Sequence, residues 1–367
     1  MKYIVDMRET ANSDLADDNL KGERRWERHV ISALLGAGRQ VASSHANWTR
    51  PNTPLWGGVT NDFSGAVLVA EADPDHVRYR GKPNAFISNA FSVLTPNAEA
   101  EIRHAISELG RRRVVLTHSF AVHVPQKRLS PDLHDLIRWL PVPAVPHVHW
   151  NHDGFIQKTL LWSGRAIHLY LMSPLKPVLD LLDWIRARLL EDHSLVFEIL
   201  LGEERVDQAT ADNWVWRFPE FEAAFRDIRE RVVVHTSRSW KQVQEAYART
   251  KLCVNAAMKF GGPPIEAASF GIPIAGTASV SVFHTADANA AEPSLTGVPA
   301  FSEYVAADSG TEISTSYSAR HLVDQLDVWY RDSAEYHRVG NAYRKFVDET
   351  YTYAAFLRHF DALPVFS

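Results

Sequence analysis

The sequence predicts an α/β protein built from two successive parallel-sheet domains. Three observations lead there. Short apolar runs alternate with helical patterns along the chain, as strands joined by crossover helices do. The 367 residues suffice for two domains of about 150 residues each, both with a core of their own. The alternation breaks once, near residues 155–165, which puts a hinge and the main cleft there.

The first series opens with "KYIVDM" as a strand and a polar loop. "ERRWERHVISALLGAG" follows as a helix, with Trp26, Val30 and Leu34 on one face and Gly36 as its stop. "RQVASS" completes a β-loop-α-β unit. "RRRVVLTHS" and "AVPHVHW" read as two more strands, with "SPDLHDLIRWL" between them as a helix capped by Ser130 or Asp132. Residues 8–20 and 44–95 carry no readable pattern.

The second series begins near "AIHLYLM". It continues with the helix "KPVLDLLDWIRARLL", the strand "LVFEILLG" and the strand "RVVVHTS". Ser239 and Gln242 make a capping box before "WKQVQEAYART". Then come the strand "KLCVNAA", the short helix "PIEAASFG" and the strand "IPIAGT". "ARHLVDQLDVWYRD" and "EYHRVGNAYRKFVDETYTYAAFLRHF" read as closing helices.

Composition narrows the function. Apolar residues at 46% and charged residues at 23% fit a soluble globular chain. A net charge of −5 argues against a surface built for polyanions. The single cysteine, Cys253, excludes an internal disulfide, fits a reducing, cytoplasmic setting, and reads as a buried strand thiol. Asp6 and Arg8 interrupt any export signal, and no run reaches the ~18 apolar residues of a membrane span. Some of the eleven tryptophans could serve as stacking platforms.

The densest chemical signal is "MKFGGPPIEAASFGIPIAG", residues 258–276. Pro263 and Pro264 sit where a helix begins, a position that needs no amide donors. Gly271 closes that helix. Gly261 and Gly262 can bring backbone amides against a ligand with no Cβ in the way. Glycines feeding a helix N-terminus make an anion site. Glu266, placed in the first turn, can accept hydroxyl donors beside it, and a diphosphate with its ribose meets both demands. The competing reading is a plain helix-to-strand connection, with Glu266 there to suit the dipole.

Other clusters are weaker. His147, His149, His152 and Asp153 are dense enough to suggest zinc, but the first two share a face of an extended chain and no cysteine helps. Packing is the alternative. "SDLADDN" lacks the glycine and closing glutamate of a calcium loop. "GAGRQV" ends a helix where a dinucleotide fingerprint would start one. No metal site is expected.

Residues 258–276 resemble the signature of the retaining GT-B glycosyltransferases, family 4 in particular. Phe260, Gly261, Pro264 and Glu266 match, while Met258 replaces the first glutamate and Lys259 the first glycine. "LKGERRWERHVISALLGAGRQVA" is similar to the family's first loop and helix, with Gly22 and Glu23 on its glycine-glutamate pair. "PAVPHVHW" is similar to a strand ending in a histidine, here His149. "LYLMSPLKPVLDLLDWI" is similar to the segment carrying the phosphate-binding lysine, here Lys176. The usual arginine is absent near Leu171, and Gly202 falls on the strand-glycine turn.

The resemblance implies a GT-B architecture: two Rossmann-like domains facing a cleft, with a C-terminal helix crossing back to the N-domain. Residues 1–158 with about 345–367 would hold the acceptor, and 159–344 the nucleotide sugar. It implies a glycosyltransferase of the hexosyltransferase type that retains anomeric configuration and uses neither metal nor cofactor. Lys176 and His149 would serve the catalytic step. Gly22, Gly202, Lys259, Phe260, Gly261, Gly262 and Glu266 would bind the donor. Lys176 also reads as a solvated lysine, and His149 as a packing residue. Met258 and the missing arginine keep two rivals open: a non-catalytic nucleotide-sugar-binding protein, and an epimerase or phosphorylase on the same fold. The partner is a nucleotide sugar of unassigned base. The acceptor is open among glycan, lipid-linked group, small molecule and modified nucleic acid.

Overall fold

The computed structural model describes residues 1–6, 23–43, 62–70, 81–89, 98–118, 129–141, 143–164, 176–201, 209, 213, 215–236, 240–255, 262–276 and 319–366. The strands are β1 (Lys2–Asp6), β2 (Gln40–Ser43), β3 (Val67–Ala70), β4 (Ala85–Asn89), β5 (Val114–His118), β6 (Ile137–Trp139), β7 (Thr159–Gly164), β8 (Val196–Leu201), β9 (Val232–Thr236), β10 (Thr250–Asn255) and β11 (Ile274–Gly276). The helices are α1 (Glu23–Gly36), α2 (Ala98–Leu109), α3 (Lys176–Glu191), α4 (Pro219–Phe225), α5 (Trp240–Ala248), α6 (Gly262–Ser269), α7 (Ala319–Arg331), α8 (Ser333–Thr350) and α9 (Tyr353–Asp361). The described residues of 1–146 and 349–366 form one compact unit, and those of 147–348 a second.

The first unit holds a six-stranded sheet in the order β2-β1-β3-β4-β5-β6, parallel throughout. Its strands are apolar on both faces because both are covered, as parallel sheets require. Tyr3, Val5, Val67, Val69 and Ile87 face a core shared with Val30, Ile31 and Leu34 of α1 and Phe356 and Phe360 of α9. Ile4, Leu68, Phe86 and Leu116 point the other way, against Ile102, Ala105 and Leu109 of α2. The alternation follows from the two-residue period of a strand.

α1 ends at Gly36, as expected, and the left-handed turn that closes it falls two residues further on. Gly38, at φ +72°, takes the left-handed turn. Arg39 and Gly38 then donate their amides to the carbonyls of Leu34 and Leu35, which closes a Schellman motif. The last helix belongs to this unit, as the C-terminal crossing implied. Tyr353 bonds His29 at 2.8 Å, and Asp361 receives Arg39 at 2.6 Å.

Three expectations fail here. "SPDLHDLIRWL" is a 3-10 helix (Pro131–Leu136) running into β6, not an α-helix. Ser130 caps nothing with its side chain; its hydroxyl and amide both donate to Glu99. "AVPHVHW" is not a strand: its Pro146, and Pro143 just ahead of it, lack the amides a ladder needs, and within it only Val145 makes a bridge, to Thr352. The long C-terminal helix is two helices. Thr352 is extended (φ −78°, ψ 162°) and accepts the Ala355 amide as the cap of α9.

The second unit holds a five-stranded sheet in the order β11-β10-β7-β8-β9, again parallel. It begins with β7; the strand read at 166–172 lies outside the described residues, as do Ser239 and its capping box. α7 packs beside α3, where Trp184 Nε1 donates to Asp327 at 3.2 Å. Glu198 is buried in β8 and satisfied by Arg249 Nε at 2.8 Å and His235 Nε2 at 2.9 Å. No helix among the described residues is long and apolar enough to cross a membrane.

Candidate functional site at the carboxyl edge of the second sheet

In chain terms the second sheet runs fifth, fourth, first, second, third, so its order reverses between β10 and β7. At such a switch point the two connections leave toward opposite faces, and the crevice at the strands' carboxyl ends is where open α/β sheets take ligands. Two of the residues singled out from the sequence open the helices that follow these strands. Lys176 is the first residue of α3, after β7, and Gly262 the first of α6, after β10. Gly22, Gly202, Lys259, Phe260 and Gly261 lie outside the described residues, as do Met258 and Leu171; the Lys176 side chain is likewise outside the description.

α6 is short and built as the sequence suggested. Gly262, Pro263 and Pro264 occupy its first turn. Ile265, Ala267 and Ala268 are buried behind it. Gly271, at φ +70°, ends it, with its own amide and that of Ile272 donating to Ala268 and Ala267. Glu266 is one turn deeper than expected: it is the fifth residue of α6, with none of the first turn acidic. It is 2% exposed. Its carbonyl accepts the Ser269 hydroxyl at 2.6 Å. Its charge reaches Cys253 in β10: burial, then Glu266, pushes that thiol up to about 12. Cys253 is fully buried, as its apolar run predicted, and inert as a nucleophile.

His149 sits elsewhere. Its amide donates to the Ser269 carbonyl at 2.8 Å, at the far end of α6 from Gly262. It precedes β7, so it lies toward the amino edge of this sheet. Its ring stacks on Phe270, with centroids 3.8 Å apart, and lies 4.8 Å from the His147 ring. Burial, then the neighbouring His147, His152 and Arg344, lowers it to about 4, so it is neutral at physiological pH. Among the described residues no group of three or more His, Cys, Asp and Glu is placed to hold a metal.

The residue that sequence reasoning missed at this helix is Arg344 of α8. It is buried, and its Nη2 donates to the carbonyls of Phe270, at 2.7 Å, and His152. Its distance of 74 residues from Phe270 left no local signal.

No protein-family profile and no curated protein matches the sequence. Solved structures do. Sucrose-phosphate synthase from Thermosynechococcus elongatus superimposes with a TM-score of 0.56 at 13% identity, over 99% of this chain and 98% of that one. HepE from Anabaena, solved with UDP and glucose, gives 0.55 at 10%, over 98% of each chain. The fold is GT-B. TarM from S. aureus also matches, at a TM-score of 0.45 and 11% identity, and the chain spans 55% of its length. In this GT-B chain each unit carries one parallel sheet, and α9 returns to the first unit.

Proposed function

We propose that the chain is a glycosyltransferase that takes a sugar from a nucleotide-sugar donor. The observation that carries this is the placement of α6. A glycine-proline entrance and a buried carboxylate, Glu266, follow β10 at the switch point of the second sheet. Likeness to GT-B structures over nearly the whole chain supports the same reading.

The second unit takes the donor and the first the acceptor. The diphosphate lies against the amides of Gly261 and Gly262, where the helix dipole favours negative charge. Lys176, opening the neighbouring helix, adds a cation. These fixed groups stabilise the leaving diphosphate as the sugar gains oxocarbenium character, with no metal required and with retention at the anomeric carbon. Glu266 accepts the ribose hydroxyls. By the family resemblance Lys259 and Phe260 serve the sugar side, and Gly22 and Gly202 are further donor-binding candidates. His149 braces the far end of α6, since its ring is committed to Phe270.

A thermal-shift screen of nucleoside diphosphates and their sugars tests this. A ligand at 100 times its Kd adds about 2.7 kcal/mol. Sugar transfer in the presence of EDTA, with the anomeric configuration of the product read by NMR, supports the full reading. Binding with no turnover, whatever the acceptor, would favour the binding-protein alternative that Met258 suggests.

A further inference from the structure

We infer that Arg344 is a positioning residue for the donor site: it clamps α6 from behind and fixes where that helix's N-terminal amides and Glu266 stand. The inference rests on the proposed donor role of α6. Arg344 is 6% exposed, yet its hydrogen bonds among the described residues go to neutral acceptors. Nη2 donates to the Phe270 and His152 carbonyls, and Nη1 to Asn341 Oδ1 at 3.0 Å. A buried guanidinium hydrogen-bonded to no carboxylate is costly even with the charge of Asp153 acting on it. The cost is offset where its charge meets the negative end of a helix dipole, and Phe270 directly follows the last residue of α6.

Two glycines complete the clamp. A Cβ at Gly271 would meet the Arg344 guanidinium at 2.5 Å from Nε. A Cβ at Gly340 of α8 would fall on the Gly271 carbonyl oxygen. α8 therefore abuts the end of α6 directly, with no side chain between them. The helix has eight residues, about 12 Å at 1.5 Å per residue. A displacement at its carboxyl end is carried along this rigid rod to Gly262. Positioning errors of about 1 Å weaken preorganised contacts strongly.

The test measures binding of uridine, guanosine and adenosine diphosphates by calorimetry, each titrated separately. The proteins are wild type, Arg344→Met, Arg344→Lys and Glu266→Gln, all at a temperature where melting curves show each folded. Arg344→Met is expected to weaken the diphosphate that wild type prefers about 10-fold. Arg344→Lys keeps the charge but loses the planar fork and should weaken it about threefold. The lysine variant decides alone if the methionine variant does not fold. A purely structural role would lower the melting temperature and leave Kd unchanged. Unchanged Kd in a folded Arg344 variant, alongside weaker binding by Glu266→Gln, overturns the clamp and leaves the donor site standing. Failure of wild type to bind any of the three overturns the donor-site reading and the clamp with it.

Discussion

His149 lies flat on Phe270, with ring centroids 3.8 Å apart and planes 15° apart. The stack joins the segment ahead of β7 to the end of α6, and it is sensitive to acid. In the unfolded chain this imidazole takes a proton near 6.5, and in the folded protein only near 4. The unfolded state therefore binds protons first. Stability from this group is full above pH 6.5 and is lost as pH falls toward 4. His149→Phe keeps the stack and removes the titration. Its melting temperature should fall less steeply between pH 6.5 and 4 than that of wild type. Part of the slope persists, because burial also lowers His152. Identical slopes would show that His149 does not titrate as described.

Glycines at two helix ends predict opposite signs. Gly271 is left-handed, and a Cβ there collides with Arg344. Gly271→Ala should cost at least about 1–2 kcal/mol from backbone strain alone. Gly36 is the last residue of α1, and nothing lies within 4 Å of its Cβ position. Gly36→Ala should stabilise by about 0.5–1 kcal/mol. Urea denaturation of the two variants reads both signs directly.

The proposed donor site predicts which substitutions act on the nucleotide. Lys176→Ala and Glu266→Ala should each weaken nucleoside-diphosphate binding by about 1–3 kcal/mol, the usual loss for a charge-assisted contact. Both should weaken the diphosphate and its sugar equally. Calorimetry showing no change for Lys176→Ala would remove that lysine from the site.

Lys259 predicts an effect on the sugar alone. Met258 beside it is a poor hydrogen-bond acceptor, and Lys259 can only donate. A sugar with an acidic or otherwise unusual substituent should therefore bind better than a plain hexose. Lys259→Ala should change affinity for the nucleotide sugar and leave the bare diphosphate as before. Equal losses on both ligands would place Lys259 at the phosphates.

Much of the fold was legible because most elements announce themselves locally. β1, α1, β2, β8, β9 and β10 carry clean apolar runs or faces, and Gly271 marked the end of α6. Other errors share a physical cause. Leu133, Leu136, Ile137 and Leu140 are spaced as on an α-helix, but Leu133 and Leu136 are buried from a 3-10 helix and Ile137 from a strand. β3 and β4 carry no readable pattern in the sequence, although Gly65 and Gly81 stand ahead of their apolar runs in left-handed turns. Each strand is only four or five residues long, and burial comes from neighbours in the sheet. Arg344 was illegible for a different reason: its partners are backbone carbonyls, which leave no trace in side-chain pattern.

The proposed donor site puts a nucleoside diphosphate where β10 gives way to α6. A crystal structure with the nucleoside diphosphate that raises the melting temperature most tests it directly. The diphosphate should lie on the amides at Gly261 and Gly262, with a ribose hydroxyl donating to Glu266. A nucleotide bound to the first unit, or at the His149 end of α6, would contradict it.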